Sequence, residues 1–313
     1  MLGVLRFWHD RGVDGFRVDA LRQVLKDPEW RDNPPNPDYV PGEQEYDSLL
    51  PIRSADYDDL EPVRAMAETI AERGGVMVGE LYLPFERLVR YYAAGVHMPS
   101  NMHLISTPWQ PRAIATLIEE YEAALPDGAW PNWALGNHDR SRVASRVGAA
   151  QARVAAMLLF TLRGTPTLYY GDELGMTDVA IPPERVQDPW EEAGRDPART
   201  PMPWSADGGF TSGEPWLPMG DPAINAAAQR DDPRSMLTLH RELIALRREF
   251  VDEPYRTIAA DDSVLVFARG AWTVALNLSD EPAELPAGRV RLSTELDGGA
   301  AVLRPNEGVI VSP

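Results

Sequence analysis

Short apolar runs of strand length alternate along this chain with stretches of helical period, and that alternation leaves few folds open. Val13–Val18 (VDGFRV) reads as a short buried strand, and Glu61–Arg73 as a helix with Val63, Met66, Ala67, Ile70 and Ala71 on one face. Val76–Gly79 is a second strand and Pro84–Ala93 a helix. Asn101–Ile105 is a weaker third strand, followed by the amphipathic stretch Ala113–Leu125 with Ile114, Leu117, Ile118 and Tyr121 in register. Trp133–Gly136 and Thr167–Tyr170 are the fourth and fifth, separated by the nearly all-apolar helix Ala150–Leu162. Strand and helix in turn, with the strands apolar throughout, signal parallel βαβ units whose crossovers lay helices on the sheet. The predicted class is α/β.

A Pro-, Gly- and Trp-rich excursion follows, roughly Thr177 to Asp232, before the helix Arg234–Glu249. It is too long for a plain connector and is expected to build part of a site. From Tyr255 the texture changes. Ser263–Arg269, Trp272–Leu278, Val290–Leu292, Ala300–Leu303 and Val309–Val311 are short alternating strands between Gly, Pro and Asp turns, which predicts a small antiparallel β domain. The expected division is therefore 1–252 and 253–313. A (β/α)8 barrel needs eight units and the first part supplies five, so either the sheet is open or the beginning of a barrel is missing.

Composition narrows the function. The 313 residues carry 30 basic and 48 acidic side chains, a net charge of −18, which repels a nucleic-acid backbone or an anionic membrane surface. The longest apolar run, Val154 to Leu162, falls well short of the ~20 residues a bilayer needs. Arg6, Asp10, Arg11, Asp14, Arg17 and Asp19 interrupt any signal-peptide core, and a cytoplasmic protein is expected. The absence of cysteine excludes disulfides and thiolate metal sites. The five histidines form no helical metal pair; His97, His103 and His240 read as packing or loop residues. Asp56, Asp58 and Asp59 lack the glycine and closing glutamate of a calcium loop and read as a solvated helix start. No cofactor and no metal are expected. Trp109, Trp130, Trp133, Trp190, Trp204 and Trp216 include candidates for sugar stacking, with core packing the expectation for most.

Three carboxylates stand where predicted strands end: Asp19, Glu80 and Asp139. In a parallel barrel the C-terminal strand ends converge on one opening, so this is where reactive groups collect. Arg17, two positions before Asp19, points to the same side of its strand and would keep that aspartate ionised, a competent nucleophile. Glu80 follows Val76-Met77-Val78, surroundings that would raise its pKa by desolvation and suit a general acid. Two carboxylates pushed apart in this way is the division of labour that glycoside cleavage needs. For any one of the three, a helix cap or a solvated loop charge is the competing reading.

The same residues carry a resemblance. Gly15-Phe16-Arg17-Val18-Asp19, Gly79-Glu80-Leu81 and Asn137-His138-Asp139 resemble, in order, three short conserved regions of the α-amylase family of glycoside hydrolases. Gly171-Asp172-Glu173-Leu174-Gly175 is similar to the family's region at the last barrel strand. Arg195 to Trp204 (RDPARTPMPW) resembles a signature of its α-glucosidase and oligosaccharide-hydrolase branch. The resemblance implies a retaining double displacement with Asp19 as nucleophile, Glu80 as acid/base and Asp139 as transition-state stabiliser. It also implies that Arg17 orients Asp19, that His138 binds sugar hydroxyls, and that Arg199 contacts the non-reducing end of a small oligosaccharide.

The family's earlier region, an Asp and an Asn-His pair at the third strand, has no counterpart here. The resemblance thus makes the first strand of this chain the family's fourth, and Met1 to Trp8 the tail of the third helix. A barrel opened over three strands exposes inward-facing apolar side chains and two unpaired edges, which favours association and weak catalysis. After the nucleophile, the branch associates valine with α-1,6 bonds and smaller or polar residues with α-1,4. Ala20 therefore favours α-1,4 substrates such as maltose, with transfer as a side activity, unless it is small merely to admit a packing neighbour. Oligo-1,6-glucosidase, sucrose hydrolase or isomerase, trehalose synthase and a non-catalytic homologue remain alternatives.

Overall fold

The computed structural model describes residues 1–39, 48–55, 57, 59–188 and 194–312. Asp56, Asp58 and Trp190 lie outside them. The chain separates into two compact units, Met1–Asn101 with Tyr121–Asn132, and Met102–Glu120 with Trp133–Pro313.

The first unit holds a parallel sheet of three strands, β1 (Gly15–Val18), β2 (Val76–Gly79) and β3 (Met98–Pro99), in that spatial order. The register runs from Gly15 opposite Val76 to Val18 opposite Gly79. A Cβ at Gly15 would stand 2.6 Å from the Val76 carbonyl oxygen, so only glycine lets the two backbones close to pairing distance there. Helix Leu2–His9 precedes β1, and helix Glu61–Ala71 lies between β1 and β2 in sequence. The latter buries Val63, Met66, Ala67 and Ile70, the spacing of one helical face, while Ala71 is exposed. At its start Asp59 accepts the Glu61 amide at 3.0 Å.

Two local expectations change between Pro84 and Ser106. The segment 84–93 is two one-turn helices, Phe85–Leu88 and Arg90–Ala93, not one. The strand expected at Asn101–Ile105 lies three residues earlier, as β3, where the Ser100 amide donates to the Gly79 carbonyl at 2.8 Å. Leu104 and Ile105 are buried instead from a helical turn, His103–Ser106; so short an apolar run satisfies either period.

In the second unit β4 (Asn132–Ala134) pairs with β5 (Thr165–Thr167). The ladder stops at Thr167 rather than running to Tyr170. Tyr169 and Tyr170 turn their rings onto the Arg142 guanidinium, at 4.8 and 4.7 Å, and donate their hydroxyls to the carbonyls of Ala198 and Thr200. Helix Ala149–Thr161 is buried on nearly every side, as its uniformly apolar sequence requires, and helix Met236–Arg247 packs beside it.

The C-terminal region is an antiparallel sheet of five strands. They are β6 (Tyr255–Ala260), β7 (Val264–Arg269), β8 (Trp272–Asn277), β9 (Arg289–Ser293) and β10 (Gly308–Ser312), in spatial order β6-β7-β8-β10-β9. Strand β6 was not foreseen, and Ala300–Leu303 is no strand. It contributes one bridge, Leu303 to Ala283, after Gly298 and Gly299, both at positive φ, have turned the chain. Two arginines, Arg269 wholly buried and Arg153 partly so, fasten the sheet to helix Ala149–Thr161. Arg269 donates to the carbonyls of Thr161, Phe250, Val251 and Glu253, and Arg153 to that of Thr294.

Candidate active site

In the first unit the end of β1 meets the end of β2. Asp19 is the residue after β1 and Glu80 the residue after β2. The pairing continues one step past the strands: the Glu80 amide donates to the Val18 carbonyl at 3.0 Å and the Leu21 amide to the Glu80 carbonyl at 3.2 Å. Arg17 forks between the two acids. Its Nη1 donates to Asp19 Oδ1 at 2.6 Å, and its Nη2 lies 3.1 Å from Glu80 Oε2. The Asp19 side chain is 74% exposed and that of Glu80 10%.

The expected apolar enclosure of Glu80 is corrected by this geometry. Its carboxylate is met by the Arg17 guanidinium, at 3.1 Å, and by the Ala20 amide, at 2.9 Å, while Val76, on the same face of the strand four residues earlier, is exposed. Ala20 itself adopts a left-handed conformation, φ 44° and ψ 44°, at the start of the single turn Leu21–Val24. That turn aims the Ala20 N–H at Glu80.

In the second unit Asn137, His138 and Asp139 follow β4 by a short loop, with the Asn137 side-chain oxygen accepting the Asp139 amide at 3.0 Å. Asp139 Oδ1 accepts from Arg195 Nη1 at 3.1 Å and from Arg199 Nη2 at 3.0 Å. Its Oδ2 stands 3.4 Å from His138 Nε2. Arg199 Nε donates to the His138 carbonyl at 2.7 Å, so this guanidinium, expected to contact a sugar, is engaged in fixing the His138-Asp139 pair.

The sequence reading quoted Arg195 without giving it a role and missed Asp188, which carries no local signal. Arg142 was missed as well. It is wholly buried, its Nη1 donating to the Tyr170 carbonyl at 2.7 Å and its amide to Asp178 at 2.8 Å. Asp172, in the Gly171–Gly175 motif, is buried nearby, and desolvation pushes its carboxyl up to about 7 against the pull of Arg142. A Cβ on Gly136 would lie 3.3 Å from its Oδ2.

Several of the other candidates have structural partners. His97 accepts the Met77 amide, and His240 is buried on the helix Met236–Arg247. Trp133 is buried and donates its indole N–H to the Arg163 carbonyl, and Trp109 donates to Gln151. Trp204 and Trp216 are exposed. Among the described residues no group of three or more His, Asp or Glu is placed to hold a metal ion, and no helix is long and apolar enough to cross a membrane.

Comparison with known proteins places these elements in a family context. A family model described as the alpha amylase catalytic domain matches residues 1–253. The chain is 33% identical over 332 residues to the salivary alpha-glucosidase of Anopheles gambiae, covering 91% of this chain and 55% of that one. It is 33% identical over 321 residues to maltase A1 of Drosophila melanogaster, covering 89% and 56%. Among solved structures, the alpha-glucosyl transfer enzyme XgtA matches with a TM-score of 0.87 at 31% identity, covering 99% of this chain and 66% of that chain. The chain spans about half the length of the curated relatives it matches.

Proposed function

We propose, for a chain that belongs to the alpha-amylase catalytic-domain family, the chemistry of a retaining α-glucoside hydrolase acting on short oligosaccharides. The observation that carries this reading is the Arg17 fork between Asp19 and Glu80. A single guanidinium bridging two carboxylates keeps them within one side chain's reach. That favours the ~5–5.5 Å separation of a retaining pair over the ~6.5–9.5 Å that leaves room for an inverting water.

Asp19, exposed and ion-paired, attacks the anomeric carbon as the bond to the leaving oxygen breaks, and Glu80 supplies that oxygen's proton. Glu80 then takes a proton from the incoming water, whose attack cleaves the glycosyl ester and frees Asp19. Asp139 accepts sugar hydroxyls and stabilises the oxocarbenium-like transition state, with His138 beside it. Arg199 holds that pair through Nε and Nη2 and, by the family resemblance, contacts the non-reducing end of the sugar. Replacing the water by a sugar hydroxyl turns hydrolysis into transfer, a side activity supported by the likeness to a solved alpha-glucosyl transfer enzyme. Ala20 after the nucleophile, and relatives named alpha-glucosidase and maltase, favour terminal α-1,4-linked glucose.

In this reading the first 252 residues are the later part of a (β/α)8 barrel, β1 standing as its fourth strand, and 253–313 are a separate β domain. The sheet order supports it: among the described residues β1 pairs with β2 alone, and Val4, Phe7 and Trp8 on the preceding helix are exposed.

The decisive experiment is incubation of the 313-residue chain with 5-fluoro-α-glucosyl fluoride, followed by peptide mass spectrometry. A glucosyl adduct on Asp19 is expected. Turnover of α-glucosides with inverted product and no adduct on any carboxylate would overturn the mechanism.

A further inference from the structure

Within the second unit Asp139 is linked through Arg195 to Asp188, some fifty residues further along the chain, by a closely knit set of bonds. Arg195 meets Asp188 with three nitrogens: Nε donates to Oδ2 at 2.7 Å, Nη2 to Oδ1 at 3.1 Å and the backbone amide to Oδ2 at 2.9 Å. The Asp188 side chain is fully buried. Its own backbone is fixed in turn, since Asp196 Oδ2 accepts the amides of Gln187 at 2.6 Å and Asp188 at 2.9 Å. Gly194 sits at φ 51°, and a Cβ there would stand 3.0 Å from both Cγ and Oδ2 of Asp188. Only glycine leaves room for the carboxylate.

With Nε and Nη2 spent on this bidentate clamp, Arg195 has Nη1 left, and it points at Asp139 Oδ1. Arg199 Nη2 takes the same oxygen. The carboxylate of Asp139 is therefore pinned by one oxygen, and Oδ2, beside His138, is turned to the other side. A freely rotating carboxylate would have to be ordered anew in each transition state; one already held in a single rotamer does not.

We infer that Arg195 is a positioning residue for Asp139 and that buried Asp188 is its anchor, so that Oδ2 of Asp139 is the oxygen presented to sugar hydroxyls. This rests on the reading of Asp139 given under Proposed function. Arg195 does not touch the reacting atoms; it acts through Asp139.

Two readouts on the 313-residue chain separate this inference from that reading. The first needs no activity: the Arg195 Nε–H and Asp139 13Cγ resonances. In the wild type a sharp, slowly exchanging Nε–H is expected. Asp188→Asn and Gly194→Ala should each lose it and shift the Asp139 13Cγ signal. Arg195→Lys, whose partly exposed head can be lost without unfolding, should shift that signal as well. An unprotected Nε–H in the wild type, or an Asp139 signal unmoved in all three variants, overturns the inference.

The second is kinetic, on an aryl α-glucoside. Asp188→Asn should lower kcat by roughly 10–100-fold with KM changed less than about threefold, and add nothing in an Asp139→Asn background. An equal penalty in both backgrounds would show a general structural role and overturn the inference. A wild-type chain that cleaves no α-glucoside would instead count against the functional reading, and the resonance experiment would still decide this one.

Discussion

The Ala20 amide donates to Glu80 Oε2 at 2.9 Å across sixty positions of sequence, and it does so from a left-handed backbone conformation. The bond ties the residue after the proposed nucleophile to the proposed acid. It also gives Ala20 a reason to be small that neither linkage choice nor a packing neighbour supplies: a branched side chain is disfavoured at φ 44°.

Ala20→Gly should therefore be neutral or stabilising by up to about 1 kcal/mol, since glycine relieves the left-handed strain but adds freedom to the unfolded chain. Ala20→Val should destabilise by about 1 kcal/mol or more and loosen Glu80 as well. Urea denaturation of the three proteins checks the order; a valine variant as stable as the parent would contradict it.

Glu80→Gln tests the acid. A sugar leaving group needs a proton, whereas 2,4-dinitrophenolate does not. The variant should lose about 10²–10⁴-fold on maltose and far less on the dinitrophenyl glucoside. Equal losses on both substrates would place Glu80 in some other role.

Two buried groups set opposing pH dependences. His240 donates Nδ1–H to the Met236 carbonyl at 3.0 Å, with its ring edge-on to Phe160, and burial lowers it to about 4. Because the unfolded imidazole takes up a proton near 6.5 and the folded one does not, stability is lost as pH falls from 6.5 to 4, by about 3 kcal/mol. Asp172, raised to about 7, behaves in the opposite sense. Its contribution is complete below the unfolded value near 4 and is lost as pH rises through 7, by about 4 kcal/mol. Relative to the parent, His240→Leu should gain stability on going from pH 6.5 to 4, and Asp172→Asn on going from pH 5 to 8. Parallel pH profiles of denaturation midpoint for parent and variants would refute the assignment.

Arg269 is wholly buried and holds four carbonyls, one of them at the end of helix Ala149–Thr161. Arg269→Met keeps much of the volume and orphans those acceptors. It should cost at least about 3 kcal/mol and release the C-terminal sheet from the helix. Hydrogen exchange in β7 and β8 that rises well before global unfolding is the expected signature; unchanged protection would mean the sheet is held by its apolar contacts alone.

The amino-acid sequence by itself determined the local elements and the placing of two acids. Val76–Gly79 lies where its apolar run predicted, the helical faces follow their 3.6-residue period, and Asp19 and Glu80 directly follow their strands, because burial and backbone geometry act over a few residues. Membership of the family was likewise legible, through motifs kept in order. What the tertiary structure alone decided is who meets whom. Arg17 had been paired with Asp19 by a two-residue spacing, but its second nitrogen finds Glu80 only because β1 and β2 are neighbours in register. Tyr169 and Tyr170 leave the strand because Arg142 stands beside them, and Asp188, silent in the sequence, becomes the anchor of Arg195 only because its carboxylate is buried against that guanidinium. Such contacts depend on desolvation and on chain closure over many residues, and no local pattern encodes either.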